Sequence, residues 1–139
     1  VGRAYCEEDV GDAFEILKKT ERLTFDFSAN TNDKVFEWAI NAVGPQRMIF
    51  GSDLPITRMR MRRITENGKY LNLVPKGLYG DVSDDPSMCE IEGEEADRLS
   101  FFIYEEIKSI REAAINTRLN KGEIEDLFFN NAHRMLGLS

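Results

Sequence analysis

The sequence holds little from which a metal or redox centre could be assembled: two cysteines and one histidine in 139 residues. Cys6 and Cys89 lie far apart and match no metal or redox spacing, and neither shares a ligand spacing with His133. A Cys6–Cys89 disulfide stays open, although two thiols in a chain without a secretory signal usually remain reduced. Long apolar runs are also missing. None approaches the ~20 residues that a bilayer crossing needs, and no basic segment followed by an apolar one opens the chain. The expectation is a cytoplasmic protein with no membrane partner. Basic charge is scarce too, with 18 Lys and Arg against 25 Asp and Glu, a net charge of -7. Phosphate attraction scales with clustered cations, so the balance speaks against a general nucleic-acid binder.

What remains reads as one globular α/β domain, since the length suffices for one real core and not for two. From Asp9 to Lys19, Val10, Ala13, Phe14 and Leu17 recur at i, i+3, i+4 and i+7, one stripe of an amphipathic helix. Leu23 to Phe27 alternates and is aromatic-rich, which predicts a strand. Asn30-Thr31-Asn32-Asp33 supplies capping oxygens for a helix burying Val35, Phe36, Ala39, Ile40 and Val43. Gly44-Pro45 ends that helix, and Met48-Ile49-Phe50 is a short apolar strand stopping at Gly51-Ser52-Asp53. Strand–helix–strand order is the βαβ pattern of a parallel sheet.

From Pro55 to Gly93 the rhythm breaks. The stretch holds three glycines before Gly93 and shows little helical periodicity, so it is expected as a long loop insertion over residues 55–93, with a short strand or packed turn within Tyr70 to Tyr79. Glu94 to Leu119 then reads as one long helix with Phe102, Ile103, Ile107 and Ile110 on its apolar face. A last helix runs from Glu123 to about Leu136, closed by Gly137.

Two segments carry a resemblance. Gly44-Pro45-Gln46-Arg47-Met48-Ile49-Phe50-Gly51-Ser52-Asp53-Leu54-Pro55 resembles the last barrel strand of the amidohydrolase-related metal-dependent hydrolases, where such a string ends in the active-site aspartate. Ile124 to Leu138, with Asn131-Ala132-His133-Arg134 at its centre, is similar to the closing helix of the same family. The resemblance implies a fold: the C-terminal part of a (β/α)8 TIM barrel, from strands six and seven to strand eight plus the C-terminal helices, over residues 1–139. Leu23 to Ser28 would be strand seven and Met48 to Asp53 strand eight. The first five strands and most of the sixth would then be absent.

It also implies a chemistry. Members of the family hold a divalent metal, often zinc, through histidines and the eighth-strand aspartate, and the metal activates water or polarises a carbonyl. Only Asp53 of that set matches here, as ligand and proton acceptor; His133 lies in the closing helix and matches no ligand position. Its other reading is an aspartate capping a turn after Gly-Ser.

Other residues carry weaker signals. Arg58-Met59-Arg60-Met61-Arg62-Arg63, if extended, sends Arg58, Arg60 and Arg62 to one side and both methionines to the other. Those guanidiniums suit a carboxylate or phosphate on a small-molecule substrate, or else pair with the chain's own carboxylates. The resemblance places Arg3 just after the sixth-strand histidine position, where it either lines the same mouth or forms a structural salt bridge. Asp26 is read as structural, and Asn131-Ala132 resembles the family's fixed Asn-Ala pair, which implies that Asn131 ties the last helix to neighbouring backbone. The expected function is thus a fragment of a metal-dependent hydrolase or decarboxylase, inactive in isolation. The alternative is a non-catalytic truncated barrel that binds a partner or forms a homo-oligomer through unpaired strand edges.

Overall fold

A computed structural model describes residues 4–138. The strand–helix–strand unit forms as its sequence prescribes. β1 (Phe25–Phe27) and β2 (Met48–Phe50) pair in parallel, in the register Phe25 with Met48 and Phe27 with Phe50. Between them runs α2 (Asp33–Val43), preceded in the chain by α1 (Ala13–Leu17). The N–H of Val35 donates to the Asn32 side chain at 3.1 Å, which caps α2, and its buried face is the predicted one: Val35, Phe36, Ala39, Ile40 and Val43. Gly44, at φ +79°, ends the helix by donating its N–H to Ile40 O at 2.9 Å. Phe27 meets Phe36 edge to face at 4.8 Å, and Phe14, Met48, Ile110 and Leu127 complete this core.

The helix expected over Asp9 to Lys19 is shorter. A 3₁₀ turn, Glu7–Asp9, is separated from α1 by Gly11 at φ +52°, though Val10 and Phe14 are buried as the stripe required.

The segment 55–93 is not a structureless loop. After a 3₁₀ turn, Ile56–Arg58, it builds a second sheet ordered β3 (Arg62–Glu66), β4 (Lys69–Pro75), β5 (Met88–Ile91). β3 and β4 form an antiparallel hairpin, while β5 lies parallel to β4. The hairpin turns on Asn67-Gly68 at φ +52° and +71°. Two left-handed residues give the turn whose twist matches that of paired strands. Asn67-Gly68 was therefore a legible hairpin signal that the reading of the stretch as a loop passed over. Met61, Val74, Phe102 and Ala29 form the core under this sheet.

The single long helix expected from Glu94 to Leu119 is two helices, α3 (Gly93–Asp97) and α4 (Phe102–Asn116). The break has a tertiary cause. Met61 N–H donates to Ser100 O at 3.1 Å and Phe102 N–H donates to Met59 O at 2.8 Å, so the chain at 100–102 leaves the helix to pair with the arginine segment. That segment is extended only in part, since Arg58 closes the 3₁₀ turn. The last helix begins with a capping box at Asn120 and runs as α5 (Lys121–Glu125), a π-helical turn Asp126–Asn130, and α6 (Asn131–Met135). The whole is a mixed α/β fold of helices and two small sheets, with no closed barrel among the described residues. Among the described residues, no helix is long and apolar enough to cross a membrane.

Candidate functional site at the strand ends

The C-terminal ends of β1 and β2 bring together the segments 28–30 and 51–57, where open parallel sheets place their sites. Glycine is needed at 51 by close approach: its N–H donates to Phe27 O at 2.7 Å, and a Cβ there would lie 3.1 Å from the same oxygen. Asp53 follows in the left-handed region, φ +48°, with its side chain exposed. Aspartate tolerates this conformation better than branched residues do.

The fold-back after Asp53 is built by its neighbours. The Leu54 N–H donates to Ser52 Oγ at 3.4 Å, Thr57 N–H donates to Asp53 O at 3.4 Å, and the buried Thr57 hydroxyl donates to Ser52 O. The peptide bond Leu54–Pro55 is cis. Ser52, not Asp53, thus supplies the side-chain acceptor of the turn. Among the described residues no donor occupies the Asp53 carboxylate, which leaves it open to solvent. Asp26, on the preceding strand, accepts from Ser28 Oγ at 2.7 Å.

The arginines separate. Arg58 is exposed at the end of the 3₁₀ turn. Arg60 is turned to a structural task, with Nε donating to Leu99 O at 3.2 Å and Nη2 to Ala96 O at 3.1 Å, where α3 ends. This is the helix C-terminus, where cations are favoured. Arg62 stands 4.0 Å from Glu105. Arg63 is enclosed: its guanidinium lies 4.1 Å from the Tyr5 ring and 4.8 Å from Phe102, and donates to Asn72 Oδ1 and Ala29 O at 2.8 and 2.7 Å. Burial lowers its pKa, and the neighbouring tyrosines oppose that shift. Arg3 lies outside the described residues.

One residue of this region escaped the sequence reading. Glu106 of α4 is 0 % exposed, and among the described residues neither of its oxygens has a hydrogen-bond partner. It projects from the stripe Phe102, Glu106, Ile110, Ala113, the face α4 buries. A carboxylate interrupting an apolar i, i+4, i+8 series was the available signal. Burial pushes its carboxyl up to about 8, and the charge of Asp53 adds to that. The N–H groups of Ala29 and Asn30 and the Arg63 guanidinium pull the other way.

Asn131 is buried and donates from Nδ2 to Pro45 O and Met48 O, both at 2.7 Å, which ties α6 to the start of β2 as expected. His133 packs beside Phe129, ring centroids 5.3 Å apart. Cys6 and Cys89 are both free thiols.

The resemblance implies a zinc, and the donor set can be tested against one. Among the described residues, no three His, Cys, Asp or Glu side chains come together as a cation would need. Asp53 alone occupies the implied ligand position, so these residues by themselves do not fit a catalytic zinc. Compared with known proteins, the chain matches no family model, no curated protein and no solved structure.

Proposed function

We propose that this chain is the C-terminal part of a (β/α)8-barrel hydrolase or decarboxylase of the amidohydrolase-related kind, acting on a small, carboxylated substrate. The observation that carries the reading is Asp53: a carboxylate without a described donor, presented to solvent at the C-terminal end of a parallel strand. Its role is metal ligand and proton acceptor, and Arg58 is the exposed cation beyond the turn available to a substrate anion. Arg60 keeps a substrate role only by releasing Leu99 O and Ala96 O, so Arg58 is the stronger candidate. The remaining zinc ligands would come from sequence N-terminal to Val1, and the chain alone would neither turn over substrate nor hold zinc tightly.

The test is to read the coding sequence upstream of Val1. A histidine codon just before it and a His-x-His pair further upstream are expected. A native start codon at that point would overturn the proposal. At the protein level, one tightly bound zinc per isolated chain, with turnover abolished by Asp53→Asn, would sink the claim that the chain is inactive alone.

A second reading is self-association. Among the described residues the sheet of β1 and β2 has two strands, and such a pair is marginal unless packed or extended. Sedimentation equilibrium of the isolated chain distinguishes the two, a stable dimer favouring this second account.

A further inference from the structure

The Glu106 carboxyl is an internal acid enclosed between α4 and the loop that follows β1. We propose that it is a pH-sensitive latch: while protonated it stays buried where α4 packs on the loop 28–31, and on ionising it drives that loop open. This does not depend on the chain belonging to a barrel enzyme.

The geometry carries the proposal. Glu106 is wholly inaccessible, and among the described residues both oxygens lack a hydrogen-bond partner, so ionising it in place forfeits hydration that its neighbours replace only in part. Beside it lies Ala29 at φ +50°, a conformation that residues with a Cβ adopt only when their surroundings impose it. Ala29 is bonded to one element and faces a second. Its carbonyl accepts from Arg63 Nη1 of β3, and its N–H, with that of Asn30, lies next to the Glu106 carboxyl of α4 without reaching hydrogen-bond geometry. Asn30 is itself buried, donating to Ala4 O at 2.9 Å and accepting from Asn32 N–H at 3.0 Å. The charged groups facing Glu106 are Asp53, from the turn after β2, and Arg63, from β3. Neither is hydrogen-bonded to it. Asp53 opposes ionisation, whereas Arg63, already committed to Ala29 O and Asn72 Oδ1, is the partner an ionised Glu106 would seek. The shifted acidity, up to about 8, agrees with this arrangement.

An opening that returns Glu106 to water restores an ordinary glutamate. The opening equilibrium then grows about tenfold per pH unit between the ordinary value and the buried one, and levels off above it. Amide exchange of the metal-free chain, corrected for intrinsic base catalysis, reads this directly. Between pH 5.5 and 7.5, protection of the Ala29, Asn30 and Asn32 amides should fall about 100-fold. At both pH values those amides should be less protected than the amides of β4, because the latch opens without global unfolding. Glu106→Gln, the uncharged isostere, should abolish the pH-dependent loss. Equal protection of loop and β4, no pH-dependent loss, or the same loss in Glu106→Gln would each overturn the proposal. Should the variant not fold, a ¹³C titration of the wild-type Glu106 carboxyl still decides: a midpoint in the ordinary glutamate range refutes the latch.

Discussion

Asn131→Ala is the perturbation whose cost follows most directly from the structure. The Asn131 amide nitrogen is the donor to both Pro45 O and Met48 O, in a site with 5 % exposure. Removing it takes a donor from Met48 O beside a small void, at about 1–3 kcal/mol for a buried unsatisfied group, while Pro45 O keeps the bond from the Met48 N–H. The bond that Arg134 donates to Asn131 Oδ1 goes as well, but it is partly exposed and adds little. A loss of about 1–3 kcal/mol is expected, a large part of the ~5–15 kcal/mol that holds a typical domain. Asn131→Asp should be worse than alanine at neutral pH, because it sets an ionised acceptor against two carbonyl oxygens. Urea unfolding followed by far-UV circular dichroism gives the comparison, provided the denaturant slope is unchanged. A loss under about 0.5 kcal/mol for alanine, the level of a neutral surface change, would refute the reasoning. An aspartate variant as stable as wild type would do the same.

Glu106 makes stability depend on pH. Its folded-state value, raised to about 8 from 4.5, means that the native state binds the extra proton. The stabilisation is complete below pH 4.5 and is lost as pH rises through about 8. The full excursion is of order 4–5 kcal/mol, and Glu106→Gln should flatten it in urea midpoints taken from pH 5 to 9. Arg63→Lys loses the fork to Asn72 and Ala29 and the stacking on Tyr5, at an expected cost of about 2–4 kcal/mol by thermal unfolding; an unchanged melting temperature would contradict it. Asp53→Asn should leave stability within about 0.5 kcal/mol, since asparagine also accepts φ +48° and no described donor is lost. Asp53→Val should cost about 1–3 kcal/mol by the same assay, and equal stability of the two variants would show that the turn is not constrained.

The sequence by itself determined the elements whose signals are local. The face of α2 was legible because five apolar residues repeat at helical spacing behind an asparagine cap. The pairing of Phe25–Phe27 with Met48–Phe50 followed because a helix between two short apolar runs leaves a parallel crossover as the economical solution. The position of Asp53 at a strand end was legible for the same reason. Only the tertiary structure decided the rest. The helix from Glu94 was broken at Ser100 by backbone bonds to Met59 and Met61, partners about forty residues away that no local propensity encodes. The second sheet needed the pairing of β5 with β4, a parallel contact across a turn-rich segment. Arg60 and Arg63 belong to one charged run, yet the former caps a helix end and the latter lies among aromatic rings. Glu106 sat in plain view as a charge in an apolar stripe, but its burial depends on how α4 turns over the loop after β1. Periodicity fixes which residues can share a face; long-range packing fixes what that face meets.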